Sequence, residues 1–267
     1  MKLVKCVSLL VLCALTSACL TTDGQKPNLL TTEEEVAIGE KVSKEIEAKE
    51  KILDDPAMQA YMRTVGAHLA AFAPRQDVEY RFTVIDNPET INAFALPGGH
   101  MYVYTGLLRL CGNEAELASV MAHEISHVAC YHHGESLTRQ YGYALLMGIL
   151  LGEEPSATAQ LVAQLVGTLG TMKFSRQDER EADQMGMRIL FQGGYKPEAM
   201  VSFMNKMIEE NARKGGANPP KIFSSHPPTA ERMQYLNEMV QTFPSEYRAN
   251  NVLNEARYKT NVLARLD

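Results

Sequence analysis

Two histidines four residues apart, with a glutamate beside the first, constrain this chain more than any other feature: His123-Glu124-Ile125-Ser126-His127. On an α-helix such a pair lies about 40° apart around the axis with Cβ atoms roughly 6 Å apart, so both imidazoles reach one metal ion without strain. Glu124 lies between them as a base. The flanks read as a buried helix: Asn113 and Glu116 are an N-cap and its reciprocal partner, Leu117, Val120, Met121, Ile125 and Val128 form an apolar face, and Gly134 is expected to end the element. Three ionisable groups inside such a helix cost desolvation unless a metal or hydrogen bonds compensate. Satisfied core histidines are the plainer reading, but they give no reason for this spacing.

A catalytic zinc site needs a third protein ligand and one open position. His133 falls where a His-Glu-x-x-His-x-x-Gly-x-x-His pattern places its third histidine, but Cys130 occupies the position where that pattern needs glycine to turn the chain. Cys130 itself is a further, weaker ligand candidate. The other source is the acidic helical segment from Ser175 through Leu190, in which Glu179 and Asp183 share a face and Glu181 points roughly 200° away. Glu179 as ligand, with Asp183 one turn later orienting a ligand imidazole, is a consistent arrangement.

His123-Glu124-x-x-His127 together with Ser175-Arg176-x-x-Glu179-x-x-Ala182-Asp183 resembles the zinc metallopeptidase family of the CAAX prenyl endopeptidases, HtpX, BepA and LoiP. Asn92 to Leu108 is similar to that family's strand and turn before the zinc helix, Ser225-His226-Pro227-Pro228-Thr229-x-x-Arg232 to its late histidine motif, and Glu35 to Phe72 to its opening helices. The resemblance covers roughly residues 30 to 242. It implies an α+β, mainly helical, zincin-like (gluzincin) domain holding one Zn2+ on His123, His127 and Glu179. It favours Glu179 over His133.

Zinc on such ligands lowers the pKa of its water from about 15.7 towards 7, and Glu124 can take the proton as the water attacks a carbonyl. His226, with Arg232 in the next helix, is the candidate donor to the oxyanion. The competing reading of His226 is a capping histidine in a Pro-Pro loop. In relatives of this kind the late histidine can also swing onto the metal as an inhibitory ligand.

Phe82 to Ile85, Ile91 to Leu96 and Met101 to Tyr104, separated by Asp86-Asn87-Pro88 and Gly98-Gly99, read as short strands of a small sheet. An edge strand beside the metal helix would hold an unfolded or misfolded protein substrate as an added β-strand. His100 is a candidate for that cleft, although an exposed hairpin histidine fits equally, and Tyr102 and Tyr104 fit ordinary packing.

Lys2 and Lys5 precede an apolar run from Val7 to Leu15 that ends in Thr16-Ser17-Ala18-Cys19, so residues 1–18 read as a signal peptide. Cys19 resembles the acylated cysteine of a bacterial lipobox, although Leu15 stands one place earlier than usual; ordinary cleavage after Ala18 is the alternative. On this reading 19–31 is a tether, 32–242 the peptidase domain and 243–267 a short tail. Leu20 after the cysteine points to the outer membrane. The expected setting is therefore the periplasm, with a lipid anchor as the sole membrane contact and the outer-membrane assembly machinery as a possible partner.

A net charge of −6 offers no basic footprint for nucleic acid. The apolar runs Ala144 to Leu151 and Leu161 to Leu169 fall short of the roughly 20 residues that span a bilayer and read as core or dimer helices. Cys111 and Cys130 bracket one helix, about 28 Å apart if it is continuous, which opposes a disulfide. Lys214 to Pro220 reads as a mobile loop that could gate the His226 motif. No internal repeat is present, so the branch expected is the one without a repeat domain. A holdase or assembly factor with a largely structural or self-inhibited metal site is the rival reading.

Overall fold

The first helix, α1 (Thr32–Lys49), starts at a capping box in which Thr31 accepts from the Glu34 amide and Glu34 accepts from the Thr31 amide. Its apolar side, Ile38, Val42 and Ile46, is buried. This is a computed structural model, and it describes residues 28–142, 146–148, 162–168, 172–215, 219–245 and 251–266. The signal peptide, Cys19, most of the tether and the centre of the Lys214 to Pro220 loop lie outside the described residues.

Asp55 caps α2 (Pro56–Ala70), with Pro56 in the first turn where its missing N–H is not needed. Three strands follow, β1 (Arg81–Ile85), β2 (Ala93–Ala95) and β3 (His100–Tyr104), in the order β1-β3-β2. β3 pairs parallel with β1 and antiparallel with β2, Phe94 facing Tyr102. The β2–β3 turn uses Gly98 and Gly99 at φ 79° and 103°, backbone that only glycine adopts readily. Alternation divides the side chains between two cores: Ala93, Ala95, Met101 and Val103 join the core around the zinc helix, whereas Phe94, Tyr102 and Tyr104 pack with Ile38, Val42 and Ile46 of α1. Within the two apolar runs, the described residues Leu146, Val162 and Leu165 are buried in this second core. The described parts of both runs are helical.

After α3 (Thr105–Leu110) comes α4 (Glu114–Ala129), which carries His123, Glu124 and His127 and is buried along its whole length. Asn113 caps it as expected, but the Glu116 carboxylate accepts from the Gly112 amide rather than reciprocating at Asn113. The helix does not run to Gly134. It stops at Ala129 because Tyr131 takes left-handed backbone (φ 60°), with its ring under the Arg75 guanidinium, 4.0 Å to the centroid, while Arg75 also donates to the Val128 carbonyl. α5 (His132–Tyr141) then starts in a new direction.

α6 (Arg176–Gln192) opens with a Ser175/Asp178 capping box and packs along α4. Gly186 allows the approach: a Cβ there would lie 3.1 Å from the His123 N and Cα. α7 (Glu198–Arg213), α8 (Ile222–Ser225) and α9 (Ala230–Thr242) cover the other side. The segment read as a C-terminal tail is part of the domain. Tyr258 and Val262 are fully buried, Tyr258 donates to the Leu108 carbonyl at 2.7 Å, and Asn254 and Arg257 reach the buried Glu114 carboxylate that also accepts from Tyr61 and Tyr195. Apolar residues at a spacing of four, Tyr258 and Val262, put one face of that short helical stretch into the core. No helix among the described residues is long and apolar enough to cross a membrane.

Candidate active site

The rings of His123 and His127 leave α4 on one face, and their Nε2 atoms meet 3.1 Å apart. α6 brings Glu179 opposite, Oε1 lying 3.4 Å from His127 Nε2 and Oε2 3.7 Å from His123 Nε2. Ligands 2.0–2.1 Å from a tetrahedral ion stand roughly 3.4 Å apart, so these separations fit one zinc ion. From α8, His226 turns Nδ1 into the same cluster, 3.2 Å from His123 Nε2 and 2.7 Å from Glu179 Oε1. All four residues are buried, and their donor atoms lie within 4.8 Å of one another. Convergent imidazole lone pairs in a dry site repel unless a proton or a cation lies between them. The donor set of two imidazoles and a carboxylate is one zinc accepts.

Behind these groups the contacts fix each ring. Asp183 Oδ1 is 3.0 Å from His123 Nδ1, so a proton on Nδ1 leaves Nε2 free to ligate. Arg232 grips Asp183 with two hydrogen bonds of 2.7 Å and puts its remaining terminal nitrogen 2.7 Å from Glu179 Oε2; Tyr235 also donates to Asp183. Arg232 therefore clamps the two carboxylates. Arg232 also lines the small cavity beside His123 and Glu124. Burial acts to raise Asp183, yet the charge of Arg232 and the bond from His123 outweigh it and hold the carboxyl at about 2. Burial likewise opposes ionisation of Glu179, but His226, His127 and Arg232 keep it well below the usual carboxylate range. Burial holds His127 well below its ordinary value, and therefore neutral.

Glu124 is placed by β2: its Oε2 accepts from the Ala95 amide at 3.2 Å, while buried Oε1 accepts no hydrogen bond among the described residues and lies 3.5 Å from His226 Nε2. Burial pushes Glu124 above the ordinary carboxylate value, which suits a general base. Burial acts to lower His226, yet the charges of Glu179 and Glu124 outweigh it and raise the ring.

The remaining candidates lie elsewhere. His133 is buried outside the cluster, beside Ala95 of β2. His100 lies at the start of β3 against Glu40 and Arg81, 3.4 and 3.3 Å away, because alternation turns it, like Tyr102 and Tyr104, to the α1 face of the sheet and away from α4. It is not among the residues around the metal-type cluster. Cys111 and Cys130 are free thiols. Two residues escape sequence reasoning: His132, whose Nδ1 is 2.9 Å from His127 Nδ1, and Phe174, which stacks on His127 with centroids 4.0 Å apart. The adjacent His132-His133 pair was a visible signal, but without the break at Tyr131 nothing indicates which of the two turns towards His127.

A small cavity of about 30 Å³ adjoins His123 and Glu124, lined on its apolar side by Val120, Met200, Phe203, Met204 and Ile222. The sequence profile of Peptidase family M48 matches residues 56–240. The chain belongs to peptidase family M48. That family is one of zinc metallopeptidases, so the chain falls in the hydrolase class, and the match agrees with the resemblance drawn from its motifs and with a zincin-like, mainly helical domain. Over 214 residues it is 33% identical to the beta-barrel assembly-enhancing protease of Escherichia coli (strain K12), covering 76% of this chain and 43% of that protein. It is 30% identical over 224 residues to the putative beta-barrel assembly-enhancing protease of Vibrio cholerae, covering 80% and 46%. It is also 28% identical over 184 residues to the mitochondrial metalloendopeptidase OMA1 of Saccharomyces cerevisiae, covering 68% and 53%. The chain spans about half the length of the curated relatives it matches.

Proposed function

We propose that this protein is a zinc-dependent endopeptidase that cuts misfolded or mis-assembled proteins of the bacterial envelope, working in the periplasm from a lipid anchor at Cys19. The observation that carries the catalytic part is the meeting of His123, His127 and Glu179 beside a buried glutamate with one unpartnered oxygen. Bound to those three residues, zinc supplies Lewis acidity, polarising a carbonyl and making water acidic near neutral pH. Glu124 takes the water's proton on Oε1 while the Ala95 amide holds Oε2, and then passes it to the leaving amine. His226, facing the same space through Nε2, donates to the developing oxyanion. The methionines lining the small cavity are adaptable side chains that would yield to an apolar substrate side chain next to the cut bond.

Substrate is expected as a strand added along β2. The outer edge of β2 is engaged, however: the Ala95 amide bonds Glu124, and the neighbouring Ile91 carbonyl accepts from the Ile222 amide of α8. Substrate entry therefore requires α8, with His226, to move. The position of His226 Nδ1 against both His123 and Glu179 favours a self-inhibited resting form, in which this imidazole would join His123, His127 and Glu179 in holding the metal. The beta-barrel assembly-enhancing name of the E. coli relative supports the envelope setting and suggests outer-membrane assembly machinery as a partner.

The test is cleavage of unfolded casein with and without chelator, beside Glu124→Gln and His226→Ala. The proposal expects chelator-sensitive cutting that disappears in Glu124→Gln. Uncut casein that no longer aggregates would instead identify a holdase. Faster cutting by His226→Ala would support its role as a gate, whereas slower cutting with metal retained would support its role as an oxyanion donor.

A further inference from the structure

The turn that ends α4 gathers a second set of ligand-type side chains, apart from the first. Cys130 caps the helix, the left-handed Tyr131 reverses the chain, His132 opens α5, and Glu181 reaches across from α6 on the side opposite Glu179. The Cys130 thiol, an imidazole nitrogen of His132 and a carboxylate oxygen of Glu181 lie within 4.8 Å of one another. His132 is buried, Cys130 half-buried and Glu181 exposed, so solvent reaches one side of the cluster. The reaction proposed above uses none of the three.

We propose that Cys130, His132 and Glu181 form a second, regulatory site for a borderline-soft divalent metal, zinc being the natural occupant, and that filling it opposes metal binding by His123, His127 and Glu179. Thiolate, imidazole and carboxylate together suit zinc or cobalt, whereas magnesium and calcium prefer oxygen ligands alone. On binding, the Cys130 thiol gives its proton to solvent as the sulfur–metal bond forms, and water completes the shell.

The opposition follows from one shared proton. His127 Nδ1 and His132 Nδ1 are 2.9 Å apart, so a single N–H lies between them. When His127 ligates through Nε2, its proton is on Nδ1 and is donated to His132, whose own proton is then on Nε2, 3.4 Å from Glu181 Oε2. A metal on His132 Nε2 takes that proton's place, and the neutral ring must carry it on Nδ1 instead. Two N–H groups cannot face each other at this distance, so His127 has to move its proton to Nε2, the atom that faces the first ion. Each ion therefore weakens the other, by the same factor in both directions. The second site fills only when metal exceeds what the first requires, making it a brake set by free metal.

Cobalt added to the metal-free full-length chain tests this, because thiolate-to-cobalt charge transfer reports Cys130 ligation directly. The first equivalent should activate casein cleavage without a thiolate band. Further cobalt should raise the band and lower cleavage severalfold, within the roughly 5- to 150-fold coupling typical of linked sites. Cys130→Ser should lose both the band and the decline yet keep full activity at one equivalent. His123→Ala, lacking a first-site ligand, should show the band at lower cobalt. Absence of a Cys130-dependent band overturns the site, and a band with undiminished cleavage, or a decline that persists in Cys130→Ser, overturns the opposition. The inhibition rests on the peptidase reading, whereas the metal site does not: a Cys130-dependent band on a protein that never cuts casein would sink only the former.

Discussion

Replacing Arg232 with methionine should make the protein less stable and yet bind zinc more tightly. Arg232 is buried at 5% exposure and faces Glu179 and Asp183, themselves 6% and 0% exposed. Methionine retains an apolar stem but leaves both carboxylates without their cation. Breaking one partner from a buried ion pair costs about 3–5 kcal/mol. In a domain of this size each kcal/mol moves the melting temperature by about 2–4 °C, so metal-free Arg232→Met should melt roughly 6–20 °C lower. With zinc present the ion compensates Glu179, and the ligated His123 ring still donates to Asp183 across the observed 3.0 Å. The loss should then fall to about half. By linkage, the difference of roughly 1.5–2.5 kcal/mol appears as zinc affinity raised about 10- to 70-fold. Urea unfolding with chelator and with excess zinc, together with titration against a chromophoric chelator, measures both quantities. Equal destabilisation in the two states, or zinc affinity that falls with stability, would refute the view of Arg232 as a cation competing with the metal for Glu179.

Glu179→Ala should abolish stoichiometric zinc binding, whereas His133→Ala should keep it and lose about 1–3 kcal/mol, because truncating a buried ring leaves a cavity; metal analysis and thermal melts separate the two. Gly186→Val should destabilise by about 1–3 kcal/mol and weaken zinc binding, since the added side chain meets His123 backbone at 3.1 Å and must push away the helix carrying Glu179; a variant that melts higher with zinc affinity intact would show that helix propensity prevails. Asp183, held at about 2 against an ordinary 3.8, is ionised more readily folded than unfolded. Its contribution of about 2 kcal/mol is present above pH 4 and lost as pH falls towards 2. Asp183→Asn should flatten that acid limb of a urea-midpoint profile taken in chelator, and an unchanged slope would count against the assignment.

Much of the site was legible because it is written in short-range spacing. A separation of four puts His123 and His127 on one helix face, and the same arithmetic pairs Glu179 with Asp183 and turns Glu181 away. Alternation marked the strands, and Gly98-Gly99 their turn. Resemblance, rather than spacing, brought Glu179 and His226 to the same metal, since they lie 47 residues apart with no local rule joining them. His100 was placed near the cleft for the related reason that alternation gives two faces of a strand but does not say which of them meets α4. The place of Arg232 in the helix after His226 was legible, but its pairing with Asp183 and Glu179 was not, because a guanidinium pairs with whatever carboxylates packing brings near.

From its residues alone this chain determined which helix carries the imidazoles, where the base lies and which acidic face could answer them, because backbone geometry converts sequence offsets into directions. Tertiary packing decided the rest: the stop at Tyr131 that sends His132 back to His127, the close passage permitted by Gly186, the clamp of Arg232 on Asp183 and Glu179, and the burial of Tyr258 and Val262 in the core. Those contacts join residues far apart in the chain, and their energies depend on exclusion of water and on which faces meet.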